Sequence, residues 1–235
     1  MVVERIRTGI PGLDEIMHGG IPKNQIILLA GTSGTGKTTI CTQYCYQGAK
    51  LYNENAVFLS LEEPAEFIKN NAKLFGWDFK ELEKKGKVAF IKYDPYRIED
   101  VFDILDSKIR EIKAKRVVVD SVSALGLYVR DEAELRSMIF NLSTTLRKLN
   151  CTALLVSEIV PGTRGISRYG VEEFVVDGVV VLHYERLQAS FIRAIHVWKL
   201  RGSSHSEKLH PYLITPRGIE ISSNEEAVVG DMNYV

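Results

Sequence analysis

The segment "GTSGTGKTT", residues 31–39, places the strongest constraint on the fold of this chain. It follows the apolar run "QIILLA" directly and precedes a segment of helical period. Glycine adopts backbone conformations that other residues rarely adopt, so the segment predicts a tight turn between a buried strand and a helix. A strand followed by a helix is the first part of a β–α–β unit, from which parallel sheets are built.

Short β-rich runs alternate with longer helical segments along most of the chain. The predicted strands are Ile26–Ala30, Val57–Leu61, Val88–Lys92, Arg116–Asp120 and Thr152–Ser157, and the predicted helices are Thr38–Leu51, Pro64–Phe75, Ile98–Ile112 and Glu132–Leu149. This alternation predicts an α/β fold with a mainly parallel, twisted sheet and helices on both faces. Three further β-rich segments, 178–185, 190–200 and 211–221, predict a C-terminal antiparallel extension of that sheet.

Length and composition indicate one domain. The chain has 235 residues, of which 45% are hydrophobic, and its 30 basic and 30 acidic residues give a formal net charge of zero. We expect a single domain over residues 1–222 and a loosely held tail over 223–235. A neutral chain gives no electrostatic reason to expect binding to nucleic acid or to an anionic membrane.

Two observations predict a cytoplasmic protein that does not bind membranes. The chain contains no apolar run of about 18 residues and no leader-like start. Its three cysteines, Cys41, Cys45 and Cys151, are an odd number, which fits a reducing compartment. We interpret them as buried small residues rather than metal ligands, since a metal site at Cys41 and Cys45 needs two further ligands.

Residues 31–38 match G-x-x-x-x-G-K-S/T, the P-loop or Walker A motif, whose backbone N–H groups surround phosphate. Lys37 is predicted to bridge the β- and γ-phosphates, and the Thr38 hydroxyl to hold Mg²⁺. Asp120, which ends the buried run "RVVVD", is predicted to hold the same Mg²⁺ through water. The alternative for Asp120 is a cap for the next turn. The predicted phosphate-binding residues are Gly31, Thr32, Ser33, Gly34, Thr35, Gly36, Lys37, Thr38 and Thr39.

Glu62 and Glu63 follow the second predicted strand and are candidates to activate a water molecule. Adjacent side chains of an extended segment point to opposite sides, so at most one of them is expected to face the γ-phosphate. The alternative is that both are first-turn acids of the helix near Pro64, where the helix dipole favours negative charge.

Several segments together resemble the KaiC-like branch of the RecA-like P-loop ATPases. Besides the P-loop, they are "RIRTGIPGLDEIMHGGIPKNQ", the paired "EE" after the second strand, "RYGVEEFVVDGVV", "KLRGSSH" and "PYLITPRGI". The resemblance covers nearly the whole chain. It implies a RecA-like fold that binds ATP or ADP with Mg²⁺ and hydrolyses ATP, with Glu62 and Glu63 as the catalytic pair.

The same resemblance implies a ring, usually a hexamer, with the nucleotide between neighbouring subunits. Lys199 and Arg201 of "KLRG" would then reach the neighbour's nucleotide, with His205 assisting, and would supply positive charge to the transferring phosphate. Arg193, Ile214, Thr215 and Pro216 correspond to positions that pack the base and ribose. A protein partner would respond to the state of the ring. Without the resemblance, alternation along an extended strand places Lys199 and Arg201 on one face, where solvated edge charges are the alternative.

This chain contains one such domain, whereas the clock protein KaiC has two in tandem. Where the second clock domain is phosphorylated on adjacent Ser and Thr residues, shortly before the Asp corresponding to Asp177, this chain has Glu173 and Phe174. Neither side chain offers a hydroxyl, so the chain resembles the first, purely ATP-hydrolysing clock domain.

Two other functions remain open from the sequence. A recombination or repair accessory would bind single-stranded DNA through the loop Pro161–Glu173, within the glycine-punctuated segment 158–173, with Arg164, Arg168 and Tyr169 as candidate contacts. A nucleotide-gated scaffold would bind ATP but hydrolyse it slowly, and would not require Glu62 or Glu63. His18, His183, His196 and His210 show no metal-ligand spacing and are interpreted as structural residues.

Overall fold

The structure is a computed structural model that describes residues 3–93, 98–129 and 131–228. The strands are β1 (Arg5–Ile6), β2 (Ile21–Pro22), β3 (Ile26–Gly31), β4 (Ala56–Ser60), β5 (Val88–Lys92), β6 (Arg116–Asp120), β7 (Thr152–Glu158), β8 (Gly178–Leu187), β9 (Ser190–Leu200), β10 (His210–Thr215) and β11 (Gly218–Ile221). The helices are α1 (Leu13–Ile16), α2 (Lys37–Leu51), α3 (Ala65–Lys73), α4 (Phe79–Lys84), α5 (Ile98–Ile112), α6 (Glu132–Lys148) and α7 (Glu172–Val175), and a 3-10 helix spans Val122–Leu127.

Within the described ranges, nine strands form one sheet in the spatial order β11-β10-β9-β8-β3-β7-β6-β4-β5. The strands from β8 to β5 in this order pair in parallel, and β8, β9, β10 and β11 pair with one another antiparallel. This confirms the predicted RecA-like α/β fold with a mainly parallel sheet and an antiparallel C-terminal extension. The carboxyl ends of β3, β4, β6 and β7 meet at one edge of the sheet, which we call the carboxyl edge.

Side-chain alternation along β3 divides the core into two layers. Ile27 and Leu29 pack with buried residues of α1, α2 and α3, whereas Ile26, Leu28 and Ala30 pack with those of α5 and α6. Both faces of a central parallel strand are covered, which explains the continuous apolar run in the sequence.

The ends of the long helices follow local capping chemistry. The Asp131 side chain accepts a hydrogen bond from the Glu134 amide at 2.9 Å and begins α6, whose last turn carries Arg147 and Lys148. These residues satisfy free amides at one end and complement the helix dipole at the other. The four predicted helices agree with α2, α3, α5 and α6 to within two residues at each end.

Short elements escaped the sequence analysis. These are the paired strands β1 and β2, the helices α1, α4 and α7, and the 3-10 helix. Each is two to six residues long, which is too short for a hydrophobic period to be recognised.

Residues 223–228 continue beyond β11 and contact the segment before β10. The Ala227 amide donates to the Leu209 carbonyl at 2.8 Å, His210 Nδ1 lies 2.9 Å from the Glu225 carbonyl oxygen, and Lys208 pairs with Glu226. The rest of the predicted tail, residues 229–235, lies outside the described residues.

The cysteines and the helices bear on the predictions about metal ligands and membrane spans. The thiols of Cys41, Cys45 and Cys151 are buried and free, and burial raises the pKa of Cys45 to about 12 and that of Cys151 to about 11. In the part of the chain that the structure describes, every helix is too short or too polar to cross a membrane.

Candidate active site

A pocket of about 410 Å³ opens at the carboxyl edge, above the P-loop. It is lined by Ser33, Gly34, Gly36, Lys37, Thr38, Ser60, Glu62, Glu63, Asp120, Ser121 and Glu158. Four separate segments of sequence therefore contribute to one cavity. Side chains at the carboxyl ends of parallel strands share this edge, which is where α/β proteins place their ligand sites.

The P-loop forms the floor of the pocket. Gly34 and Gly36 have φ values of 81° and 85°, which lie in the left-handed region that favours glycine. Thr35 is fully buried, and its hydroxyl donates to the Thr32 carbonyl at 2.8 Å across the turn. Helix α2 begins at Lys37, and its amino end faces the pocket. Gly31, Thr32, Thr35 and Thr39 support the turn without lining the cavity.

Lys37 lies folded over the P-loop. Its ammonium donates to the carbonyl oxygens of Gly31 and Thr32, both at 2.9 Å. Burial lowers its pKa, while the carboxylates of Glu158, Asp120 and Glu62 act in the opposite direction. The ammonium is therefore held at the pocket wall by bonds to two neutral carbonyl groups, which a phosphate group can replace.

Asp120 ends β6 inside the pocket and accepts a hydrogen bond from the Thr38 hydroxyl at 2.8 Å. Burial, together with the charges of Glu62 and Glu63, raises the pKa of this carboxyl to about 6, while the Thr38 hydrogen bond and Lys37 act in the opposite direction. The Asp120–Ser121 peptide bond is cis. The two residues predicted to share a metal ion thus lie in direct contact, although 82 positions separate them in the sequence.

Glu62 and Glu63 both line the pocket, and the extended geometry from which at most one was expected to face the γ-phosphate is not present. The expectation assumed an extended chain, whereas β4 ends at Ser60 and the chain bends over residues 61–63. Ser121 donates to Glu62 Oε2 at 2.8 Å, and Ser60 donates to the Glu63 carbonyl at 2.6 Å. These hydroxyl groups fix the bend and orient one of the two carboxylates.

Glu158 is a pocket residue that the sequence analysis missed. It ends β7, pairs in register with Gly31 of β3, and its carboxylate forms an ion pair of 2.7 Å with Arg168. The signal was present, because Glu158 directly follows a predicted strand, as Glu62 does. Ser121 was missed as well, since its role depends on the turn that follows Asp120.

The pocket has an excess of negative charge. Of the described residues that line it, four carry carboxyl groups and Lys37 carries the ammonium group. In those described residues, no group of three His, Cys, Asp or Glu side chains could hold a metal ion by itself. The Thr38 hydroxyl and the Asp120 carboxylate are nevertheless the hard oxygen donors that Mg²⁺ accepts when phosphate oxygens and waters complete its shell. The residues present therefore fit Mg²⁺ bound together with a phosphate ligand.

Of the residues expected near the base and ribose, two reach the P-loop. Arg193 Nε donates to the Gly34 carbonyl at 3.1 Å, and Ile214 packs against Gly36. The Thr215 hydroxyl donates to the Gly218 carbonyl at 3.0 Å within the β10–β11 turn, and Pro216 is exposed in the same turn.

Lys199, Arg201 and His205 do not line the pocket of their own chain. Lys199 pairs with Val179, which lies level with Leu28 in the middle of β3 and not at the carboxyl edge. Its ammonium donates to the carbonyls of Glu173 and Val176 at 2.6 and 3.0 Å, and burial lowers its pKa. His205 Nδ1 lies 2.9 Å from the Ser206 carbonyl oxygen.

Arg201 lies just beyond β9, which ends at Leu200, so strand alternation does not determine its direction. Lys199 and Arg201 nevertheless face the same segment, since Arg201 Nη2 lies 3.4 Å from the Phe174 carbonyl oxygen.

The segment 158–173 is more closely packed than its composition predicted. Ile166, Ser167 and Glu172 are buried, and the Glu172 carboxylate accepts hydrogen bonds from Ser157 and Ser167 at 3.1 and 2.8 Å. Tyr169 donates to the Ser123 carbonyl at 3.3 Å. Arg168 and Tyr169 therefore bond within the chain, and both Arg164 and Arg168 are exposed.

Comparison with known proteins now adds to this geometry. A family model described as "ATPase: KaiC" matches residues 6–226. The chain belongs to the KaiC ATPase family. It is similar to a KaiC-like protein of Pyrococcus horikoshii, whose crystal structure superposes with a TM-score of 0.87 at 37% identity and covers 94% of this chain and 99% of that one.

Two curated relatives are similar in sequence to this chain of the KaiC ATPase family along almost its whole length. A UPF0273 protein of Methanocaldococcus jannaschii is 40% identical over 234 residues, which cover 92% of this chain and 96% of the relative. A UPF0273 protein of Thermotoga maritima is 38% identical over 241 residues, which cover 95% and 98%. The predicted membership of the KaiC-like family is confirmed, and this family is one of ATP-binding ATPases.

Proposed function

We propose that the protein binds ATP with Mg²⁺ in the pocket at the carboxyl edge and hydrolyses it as a KaiC-like ring ATPase. The observation that carries this proposal is the convergence of Lys37, Thr38, Asp120, Glu62 and Glu63 on one cavity. These residues supply a positive charge that can bind phosphate, oxygen donors for a metal ion and carboxylates that can act as bases. Phosphoryl transfer to water requires all three.

Charge balance explains why Mg²⁺ belongs to the proposal. A triphosphate entering a pocket with four carboxylates and one ammonium would be repelled. Mg²⁺ bound through Thr38 and Asp120 would neutralise phosphate charge and bridge the phosphates to the protein. Lys37, on leaving its bonds to Gly31 and Thr32, would donate to the terminal phosphates.

Glu62 and Glu63 are proposed to activate the attacking water. Ser121 donates to Glu62 and holds its carboxylate at the pocket, and the bend after Ser60 brings Glu63 to the same cavity. A carboxylate within hydrogen-bond reach of a water can orient it and accept its proton.

Ring assembly, with a hexamer as the expected state, is proposed from the positions of Lys199, Arg201 and His205. They lie outside the pocket of their own chain, so they can act on a nucleotide only in a neighbouring subunit. Their positive charge would complement the carboxylate-rich pocket of that neighbour and its transferring phosphate.

The first test measures ATP turnover together with oligomer mass by light scattering, with and without nucleotide. Wild type is compared with Glu62→Gln, Glu63→Gln and the double variant. We expect a nucleotide-dependent ring whose turnover falls at least about 100-fold in the double variant. Equal, slow turnover in all four proteins, with binding retained, would instead identify a nucleotide-gated scaffold.

The proposed action in trans has its own test. Arg201→Ala and Lys37→Ala subunits should each be inactive in pure rings, for different reasons. In mixed rings, an intact P-loop meets an intact Arg201 at some interfaces, so part of the activity should return. Mixed rings, verified by mass, that stay inactive would exclude this role for Arg201.

We further propose that the ring works in the cytoplasm and signals its nucleotide state to a protein partner rather than to DNA. Its free thiols are typical of a reducing compartment. Two of the three side chains that the DNA hypothesis requires, Arg168 and Tyr169, already bond within the chain.

A further inference from the structure

Two side chains from the antiparallel extension hold carbonyl groups of the P-loop. The Tyr212 hydroxyl donates to the Thr35 carbonyl at 2.6 Å, and Arg193 Nε donates to the Gly34 carbonyl at 3.1 Å. Tyr212 lies on β10 and Arg193 on β9, so both bonds connect residues more than 150 positions apart.

Packing fixes both donors. Tyr212 is only 2% exposed. The Arg193 guanidinium lies 4.3 Å from the centre of the Tyr184 ring, and that ring in turn borders Gly34. Ile214, on the same face of β10 as Tyr212, packs against Gly36. Burial therefore holds the Tyr212 hydroxyl in place, and the Tyr184 ring holds the half-buried Arg193 guanidinium beside Gly34.

Peptide geometry gives these bonds a consequence for the pocket. In a trans peptide the C=O and the following N–H point in opposite directions within one plane. Holding the Gly34 carbonyl toward β9 turns the Thr35 amide away from β9, and holding the Thr35 carbonyl toward β10 turns the Gly36 amide away from β10. Gly34 and Gly36 line the pocket, whereas no described residue of β9 or β10 does, so the amides that turn away from these strands turn toward the pocket.

We infer that Tyr212 and Arg193 are positioning residues for phosphate binding, because they orient the Thr35 and Gly36 amides toward the phosphate before it arrives. Donors that are already oriented lose less free energy on binding than donors that must be ordered. The inference rests on the proposed binding of phosphate at the P-loop. It assigns the antiparallel extension a part in building the pocket.

The test compares Tyr212→Phe with Tyr44→Phe. Tyr44 is a matched control: it is also fully buried, and its hydroxyl donates to a backbone carbonyl, that of Thr152 at 3.1 Å, away from the P-loop. Affinities for ADP and for pyrophosphate, each with Mg²⁺, are measured by calorimetry. We expect Tyr212→Phe to weaken both ligands about three- to tenfold by the same factor, and Tyr44→Phe to leave both unchanged.

Each other result overturns the inference. Unchanged affinities in Tyr212→Phe would show that the amides need no support, and equal losses in both variants would reflect general loosening of the fold. A loss for ADP without one for pyrophosphate would place the effect at the nucleoside. Wild-type protein that binds neither ligand would instead overturn the proposed function and this inference with it.

Arg193→Met provides a second variant, since methionine keeps much of the apolar stem and removes the donor. Arg136→Met is its control, because Arg136 also lies over an aromatic ring, that of Phe174 at 5.8 Å, and does not line the pocket. Pyrophosphate affinity should fall several-fold in Arg193→Met only. If ADP binding falls while pyrophosphate binding is retained, Arg193 contacts the nucleoside and does not position the loop.

Discussion

The two ends of strand β6 carry side chains of opposite charge, and the surroundings of these two side chains differ. Arg116, at the amino end, is fully buried, pairs with Glu54 at 2.6 Å and donates to the carbonyls of Arg7, Thr8 and Tyr44. Asp120, at the carboxyl end, accepts one hydrogen bond from Thr38, and burial, with the nearby carboxylates adding to it, raises its pKa. One strand of five residues thus holds a compensated charge and an uncompensated one.

The difference separates structure from function. A buried cation with a carboxylate and three carbonyls around it has no need of a ligand, and the Tyr44 and Tyr52 rings at 4.5 and 5.3 Å complete its surroundings. A buried carboxylate beside other carboxylates gains stability only when a cation arrives. Four predictions, in order of expected size, test this contrast.

Arg116→Met should destabilise the fold by about 3–5 kcal/mol, because it leaves Glu54 without its cation and several carbonyls without a donor. Urea unfolding followed by circular dichroism measures the loss. Lys23→Met, which removes an exposed ion pair with Glu4, is the control and should leave stability nearly unchanged, because solvent screens such pairs. A loss below about 1 kcal/mol at Arg116 would mean that the charge is not compensated by these contacts.

Asp120→Asn should have the opposite effect on stability. The raised pKa means that folding disfavours the charged form, so removing the charge should increase the free energy of unfolding at pH 7.5 by about 1–3 kcal/mol. ATP turnover should fall about 100-fold, since the proposed Mg²⁺ would lose the carboxylate that supports its coordination shell. A variant that is less stable than wild type would place Asp120 in the same class as Arg116.

The buried pair His183 and His196 shows how the fold treats titratable groups that it keeps uncharged. Their ring nitrogens lie 2.9 Å apart, and burial lowers their pKa values to about 3 and about 4. In the unfolded chain the two imidazoles bind protons near pH 6.5, whereas in the folded chain they do not. The contribution of the pair to the free energy of unfolding is therefore complete above pH 6.5 and is lost as pH falls toward 4. Stability should decrease by about 2 kcal/mol between pH 7 and pH 5.5 on their account.

His196→Gln should remove about half of that pH dependence, because one of the two histidines can no longer be protonated on unfolding. His18→Gln, at an exposed position, is the control and should leave the pH dependence as in wild type. Unfolding curves at the two pH values give the comparison. Identical pH dependence in wild type and His196→Gln would contradict the assignment.

The smallest effect is expected at the Arg168–Glu158 ion pair, which is partly exposed. Arg168→Ala should change stability by less than about 1 kcal/mol. The same variant tests the DNA hypothesis when it is titrated with single-stranded DNA at several salt concentrations. We expect no salt-dependent binding in wild type; a steep salt slope that Arg164→Ala and Arg168→Ala reduce would support DNA binding instead.

The sequence predicts the sheet well because each parallel strand is a continuous apolar run, and it predicts Asp120 because a charged residue ends such a run. It fails where a contact depends on register or on a bend. Glu63 reaches the pocket through the bend after Ser60, and Tyr212 reaches Thr35 only because the extension folds beside the P-loop. Arg116 is predicted as the start of a strand, yet nothing local indicates that three distant carbonyls surround it.

The bond between Tyr212 and Thr35 also bears on the order of folding. It joins residues 177 positions apart, so the P-loop leaves the ribosome long before the strand that supports it. Closing a connection of that length is slow compared with forming the local turn and helix. A nascent chain can therefore form the P-loop turn early, whereas the supported, phosphate-ready loop forms only after β10 has been synthesised.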